Sequence, residues 1–141
     1  VLHQKIVSNI ASTSPTQLAV AEFLENGGYA HHLRTINRAY ATKVARMAEA
    51  IGNCFPAGTR VTRPTGGFAL WLELQGDIDT VDLYAEAAKM KITIAPGSLF
   101  STSGRYTNCL RLNGAFWSEE TRWAVETLGR MAHELADRSS A

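Results

Sequence analysis

What this chain has little of narrows it before any motif does. Two cysteines occur in 141 residues, Cys54 and Cys109, far apart and each beside an apolar neighbour (Phe55 and Leu110). That excludes a disulfide-stapled scaffold and a cysteine zinc site, and fits two reduced, buried thiols in a cytosolic, hence cytoplasmic, protein. Neither has the local motif of a nucleophile with a histidine partner. The four histidines, His3, His31, His32 and His133, are scattered, and no pair has ligand spacing together with a third ligand, so no metal is expected. No apolar run approaches the roughly 20 residues of a membrane-spanning helix. Charge of neither sign dominates: the formal net charge is +1, which offers nothing to nucleic acid or to an anionic membrane. A Gly-rich phosphate loop, a nucleophile elbow, internal repeats and low-complexity segments are also lacking. The opening Val1-Leu2-His3-Gln4-Lys5 is neither a signal peptide nor a methionine start. It reads as the interior of a longer helix, so a fragment of a larger protein is expected.

What is present reads as one folded domain. Hydrophobic residues make up 45% and charged residues 19% of the chain, enough to build a core. Leu2, Ile6, Val7 and Ile10 have helical spacing. After a break at 11–13, Ser14 as N-cap, Pro15 at the first position and Gln17 three residues on predict a second helix with Leu18, Ala21 and Leu24 on one side. Gly27-Gly28 stops it. A long helix follows from about Tyr29, its seam running Leu33, Ile36, Tyr40, Val44, Met47, Ile51 and Phe55. Arg60 to Arg63 reads as a short strand and Pro64 to Gly67 as a turn. In 68–74 Phe68, Leu70, Leu72 and Leu74 alternate with Ala69, Trp71 and Glu73, the clearest strand in the chain. Asp79 or Thr80 caps a helix to about Met90. Ile92-Thr93-Ile94 reads as a strand closed by Ala95-Pro96-Gly97, and 108–113 as another. Ser118 caps a last helix with Glu119 and Glu120 at its positive end and an apolar face of Ala124, Val125, Leu128, Met131, Ala132 and Leu135. The expected class is α/β of the two-layer α+β kind: a small, mostly antiparallel sheet covered by helices and preceded by a long helix. The expected division is 1–56 for the leading helices and 57–141 for the sandwich.

Three features could carry chemistry. Leu110 and Leu112 point one way from their strand and Arg111 the other, with Cys109 and Asn113. A guanidinium fixed on a strand offers a planar fork that fits a carboxylate with two parallel hydrogen bonds. From spacing alone an ordinary surface arginine is the simpler reading. Gly66-Gly67-Phe68 permits close backbone approach at a strand mouth, although a plain hairpin turn explains it equally well. Ile94-Ala95-Pro96-Gly97 stops a strand in a rigid turn, a place where a loop lines a pocket.

Four segments taken together carry a resemblance. They are Ser14-Pro15-Thr16-Gln17-Leu18-Ala19 to Gly27-Gly28-Tyr29, then Arg63 through Gly66-Gly67-Phe68 to Leu74, then Ile94-Ala95-Pro96-Gly97-Ser98-Leu99-Phe100, then Asn108-Cys109-Leu110-Arg111-Leu112-Asn113. In order and spacing, over nearly the whole chain, they resemble the C-terminal, smaller lobe of class I/II aminotransferases, pyridoxal-phosphate-dependent proteins of fold type I. With Ser103-Gly104-Arg105-Tyr106 between Phe100 and Cys109, the chain is most similar to the aminotransferase-like domain of GntR/MocR-family transcriptional regulators.

The resemblance implies an amino-acid or amine substrate or effector, with Arg111 gripping the α-carboxylate of an amino acid and Gly67, Phe68, Pro96 and Gly97 lining the pocket between lobes. It implies a homodimer in which the segment holding Ser14 and Gln17 approaches the partner's site. It also implies pyridoxal 5'-phosphate in the full-length protein, with none stably bound to this chain, because the Schiff-base lysine lies upstream of these segments. None of Lys5, Lys43, Lys89 and Lys91 stands in the family's Ser-x-x-Lys context. Half a site is the most this chain contains, so no residue here is assigned a catalytic role. DNA would be met only through a further N-terminal domain. Three readings compete: the small lobe of such a regulator, the small lobe of a true aminotransferase passing an amino group to a 2-oxo acid, and a stand-alone interaction module.

Overall fold

A computed structural model of the chain describes residues 13–76 and 78–139. The expected helix over Leu2 to Ile10 lies outside them. The chain divides into two compact units that part between Ile36 and Asn37.

The first unit is helical. Helix α1 spans Ser14–Glu25, with Thr13 rather than Ser14 at its N-cap and Pro15 in its first turn. The cap moves by one because the Thr13 carbonyl already accepts from the Gln17 N–H at 3.2 Å; the Thr13 hydroxyl makes no capping bond. Asn26 closes the helix, its N–H donating to the Glu22 carbonyl, and Gly27 turns the chain at φ 78, a conformation that glycine adopts without steric cost. Helix α2, Gly28–Cys54, begins there. No residue of α1 is buried. Phe23 meets the rings of Tyr29 and His32 edge-on at 6.5 and 6.4 Å.

The second unit holds the sheet. Strands β1 (Arg60–Val61), β2 (Ala69–Glu73), β3 (Ala95–Pro96) and β4 (Cys109–Asn113) lie in the order β1-β2-β4-β3, and every pairing is antiparallel. Helices α3 (Thr80–Lys89) and α4 (Glu119–Ser139) complete it. The alternation in β2 sends Leu70 and Leu72 into a core closed by Leu110 and Leu112 of β4, Val44, Met47 and Ile51 of α2, Leu83 and Ala87 of α3, and Val125, Leu128 and Ala132 of α4. Each such large aliphatic side chain contributes about 1.5–3 kcal/mol by leaving water. Helix α4 approaches α2 so closely that a Cβ on Gly129 would collide with the Cys54 carbonyl, its carbon only 2.8 Å away.

Caps and edges follow the sequence with local differences. The Asp79 carboxylate accepts from the Val81 N–H at 2.8 Å, and the Ser118 hydroxyl from the Thr121 N–H at 3.2 Å. Thr80 is wholly buried, its hydroxyl shared between the Thr107 and Cys109 carbonyls at 2.9 and 2.7 Å. The strand expected at Ile92-Thr93-Ile94 is displaced. Both isoleucines are buried, yet the ladder forms only at Ala95 and Pro96, opposite Arg111 and Leu110. Proline is tolerated there because β3 is an edge strand. Phe68 precedes β2 and is half exposed against Tyr40, ring centroids 5.2 Å apart, rather than buried in the leucine row. Phe55 is buried just beyond the end of α2.

Candidate functional site

One face of the sheet carries the leucines of the core, and register decides what stands on the opposite face. Trp71 of β2 and Ala95 of β3 are the cross-strand partners of Arg111 on β4. Directly opposed residues share a face, so the three side chains stand in a row away from the leucine core. Arg111 thus has the small Ala95 on one side and the large Trp71 on the other. The Arg111 guanidinium carbon lies 5.1 Å from the centroid of the Phe100 ring. Among the described residues no carboxylate pairs with Arg111; the ion pairs are Arg60–Glu73, Lys89–Glu86 and Arg122–Glu126. An exposed fork between buried strand neighbours, with no acid paired to it among the described residues, can accept a carboxylate in two-point fashion.

The loop between β3 and β4 supplies the aromatic side of this row. Gly97 opens a short 3-10 turn, Gly97–Phe100, and is buried; a Cβ there would collide with the Tyr106 carbonyl and lie 2.8 Å from both the Cβ and the carbonyl oxygen of Cys109. The Ser101 hydroxyl then accepts from the N–H groups of Ser103 and Arg105 at 3.3 and 3.1 Å, folding the loop back. Tyr106 adopts φ 65, left-handed backbone that costs a bulky residue on the order of 1–3 kcal/mol. Its carbonyl accepts from the Cys109 N–H at 3.0 Å. Phe100 and Tyr106 thus meet the Trp71 ring edge-on, at 5.4 and 5.7 Å.

The other expected site residues are distributed unevenly. Pro96 and Gly97 adjoin the Arg111 row through β3. Gly67 and Phe68 are at the far end of β2, where Gly67 at φ 78 lines a cavity of about 610 Å³ with Val44, Ala48, Val61 and Pro64. Phe68 leans on Tyr40 of α2 and its carbonyl accepts from the Gly114 N–H at 2.7 Å. Ser14 and Gln17 stand on α1, both exposed. Trp71, Phe100 and Tyr106 went unassigned in the sequence. The alternation of β2 puts Trp71 opposite the leucines, but only the register of β4 puts it beside Arg111.

Both thiols are free. Burial, and then the charge of Glu73, pushes the Cys109 thiol above its ordinary range; burial, and then Glu126, does the same to Cys54. Neither is an activated nucleophile. Among the described residues no group of histidine, cysteine or carboxylate side chains could hold a metal ion, and no helix is long and apolar enough to cross a membrane.

Comparison with known proteins gives this geometry a family. No family model matches the chain. The HTH-type transcriptional regulator YjiR of Escherichia coli is 37% identical over 137 residues, which are 96% of this chain and 29% of the regulator. The 2-aminoadipate transaminase of Thermus thermophilus is 32% identical over 115 residues, 81% of this chain and 29% of the transaminase. In structure, the multiple substrate aminotransferase from Thermococcus profundus superposes with a TM-score of 0.86 at 27% identity, over 96% of this chain and 34% of that one. The chain belongs to the fold-type-I aminotransferase superfamily. It is an aminotransferase-like small lobe, and it spans under a third of the length of the curated relatives it matches.

The family implies pyridoxal phosphate, and the lysines among the described residues do not fit a covalent hold on it. Lys43 stands 5.7 Å from the Phe116 ring centroid, Lys89 is tied to both Glu86 carboxylate oxygens at 2.8 Å, and Lys91 is exposed at φ 60 after α3; Lys5 lies outside the described residues.

Proposed function

We propose that this lobe belongs to a pyridoxal-phosphate-dependent regulator of the GntR/MocR type and supplies the carboxylate-binding half of its effector site. The single observation behind this reading is Arg111: an exposed guanidinium on a strand whose flanking leucines are buried, free of any acidic partner among the described residues. The 37% identity to an HTH-type regulator over 96% of the chain favours the regulator as parent. Two parallel hydrogen bonds from Arg111 hold an amino acid's α-carboxylate and so fix the direction in which its amino group points. Pyridoxal phosphate, held by other parts of the protein, supplies the electron sink for chemistry at that amino group. The intended partners are an amino-acid or amine effector, a second copy of the chain and, through a further N-terminal domain, DNA.

A second reading has its own support, the 32% identity to a transaminase over 81% of the chain. In it Arg111 does the same work for a substrate that is turned over.

The two separate in one experiment on the full-length protein. Its binding to the DNA upstream of its own gene is followed by mobility shift with and without each of the twenty amino acids, alongside an assay for 2-oxo-acid formation. An amino-acid-dependent change in DNA affinity, lost in Arg111→Leu, supports the regulator. Amino transfer without DNA binding overturns it in favour of the transaminase.

A further inference from the structure

Arg111 has to present the edge of its fork, and the question is what holds that fork in place. An acidic neighbour would orient it but would also occupy the donors that a ligand needs. An aromatic ring behaves differently. A guanidinium carries its five N–H donors around its perimeter, so the attraction of a ring for the cation steadies the group without using up a donor. The Arg111 guanidinium carbon lies over the Phe100 ring, 5.1 Å from its centroid, within reach of a cation–π attraction that claims none of the donors. The ring's own position is braced in turn, since Trp71 meets Phe100 edge-on at 5.4 Å and is itself met edge-on by Tyr106 at 5.7 Å. Trp71 is also the β2 residue directly opposite Arg111, so one side chain supports both the arginine's strand position and the ring beneath it.

The cost of building this row is visible in the backbone. Gly97 has no space for a Cβ beside the Tyr106 and Cys109 carbonyls, and Tyr106 itself is held at φ 65. A loop that served only to connect β3 to β4 requires neither. Phe100 and Tyr106 are both left half exposed, where a hydrophobic effect within this lobe gains little from them.

We infer that Phe100, braced by Trp71, is a positioning residue that holds the Arg111 guanidinium in place for carboxylate binding. The inference rests on the carboxylate reading of Arg111 given above and goes beyond it. A cation–π contact at a half-exposed site is worth a few-fold in affinity, rising as the site is shut off from water.

The test uses the full-length protein and calorimetric titration with two probes. L-leucine carries one carboxylate and an apolar side chain; 3-methylbutylamine is the same molecule without the carboxylate. Phe100→Leu keeps the bulk and removes the ring face, and is expected to weaken L-leucine about five-fold while leaving the amine unchanged. Phe100→Tyr restores the ring and is expected to recover wild-type affinity. Equal weakening of both probes, or failure of tyrosine to rescue, makes Phe100 merely structural and overturns the inference. If Arg111→Leu weakens L-leucine and Phe100→Leu does not, the positioning role falls and the carboxylate reading stands. If Arg111→Leu changes nothing, the carboxylate reading itself falls, and the positioning role with it.

Discussion

Helices α1 and α4 carry comparable apolar residues and meet opposite fates. In α4, Val125, Leu128 and Ala132 are buried against the sheet. In α1, Leu18 and Leu24 keep 70% and 52% of their surface exposed, and no residue is buried. Both helices are punctuated at their starts, so local signals do not separate them. What separates them is a partner. An apolar stripe becomes a core only where another element of the same chain arrives to cover it. The second unit, from Asn37 onward, therefore holds its core within itself, whereas among the described residues none buries the apolar side chains of α1.

The largest effect should come from cutting one side chain on each side of that divide. Leu70→Ala, in the middle of β2 with no exposed surface, is expected to cost about 3–4 kcal/mol of unfolding free energy in urea. Leu18→Ala is expected to cost no more than about 0.5 kcal/mol. Similar losses for both would erase the distinction. Next comes the seam between α2 and α4. Gly129→Ala drives a methyl group into the Cys54 carbonyl and should destabilise by about 1–3 kcal/mol in the same assay, against the helix-propensity gain that alanine normally brings.

Apolar surface on α1 sharpens the contrast from the other side. Self-association of the chain is expected in sedimentation at rising concentration, and Leu18→Lys with Leu24→Lys should weaken it by about ten-fold or more. A sharp monomer at all concentrations would argue against an adhesive α1. The smallest effect concerns the thiols of the second unit. Both are raised by burial, so their thiolate fraction at neutral pH is lower than that of a free thiol. Alkylation should be slower than in the unfolded chain and should accelerate only at more alkaline pH. A proton held more tightly in the folded state stabilises fully below the unfolded thiol's pKa. That contribution is lost as pH rises through the folded value.

Much of this was legible in the sequence because it is local. The alternation of β2, the Asp79 and Ser118 caps, and the α4 stripe each depend on residues a few positions apart. The misplacements share a cause. Ile92 and Ile94 alternate as a strand does and are buried as one, but a strand is defined by its partner, and β4 runs opposite Ala95 and Pro96. Phe68 continues the leucine alternation on paper, yet the ladder has not begun at that residue and Tyr40 of α2 takes it instead. The site shows the same split. That Arg111 points away from Leu110 and Leu112 follows from alternation alone. The aromatic row of Trp71, Phe100 and Tyr106 needs the register of three strands and a left-handed residue in a loop, none of which has a short-range signature.

The central claim is that Arg111 receives an amino acid's α-carboxylate, and the most direct measurement is amino-acid affinity of the full-length protein in wild-type, Arg111→Lys and Arg111→Leu forms. Lysine keeps the charge but loses the planar fork, so affinity should fall by about ten-fold; leucine removes both and should lower it by on the order of a hundred-fold. Affinity for pyridoxal phosphate should stay nearly unchanged in both variants. Wild-type amino-acid affinity in Arg111→Leu would contradict the account, and Arg111 would then be an ordinary surface arginine on a structural strand.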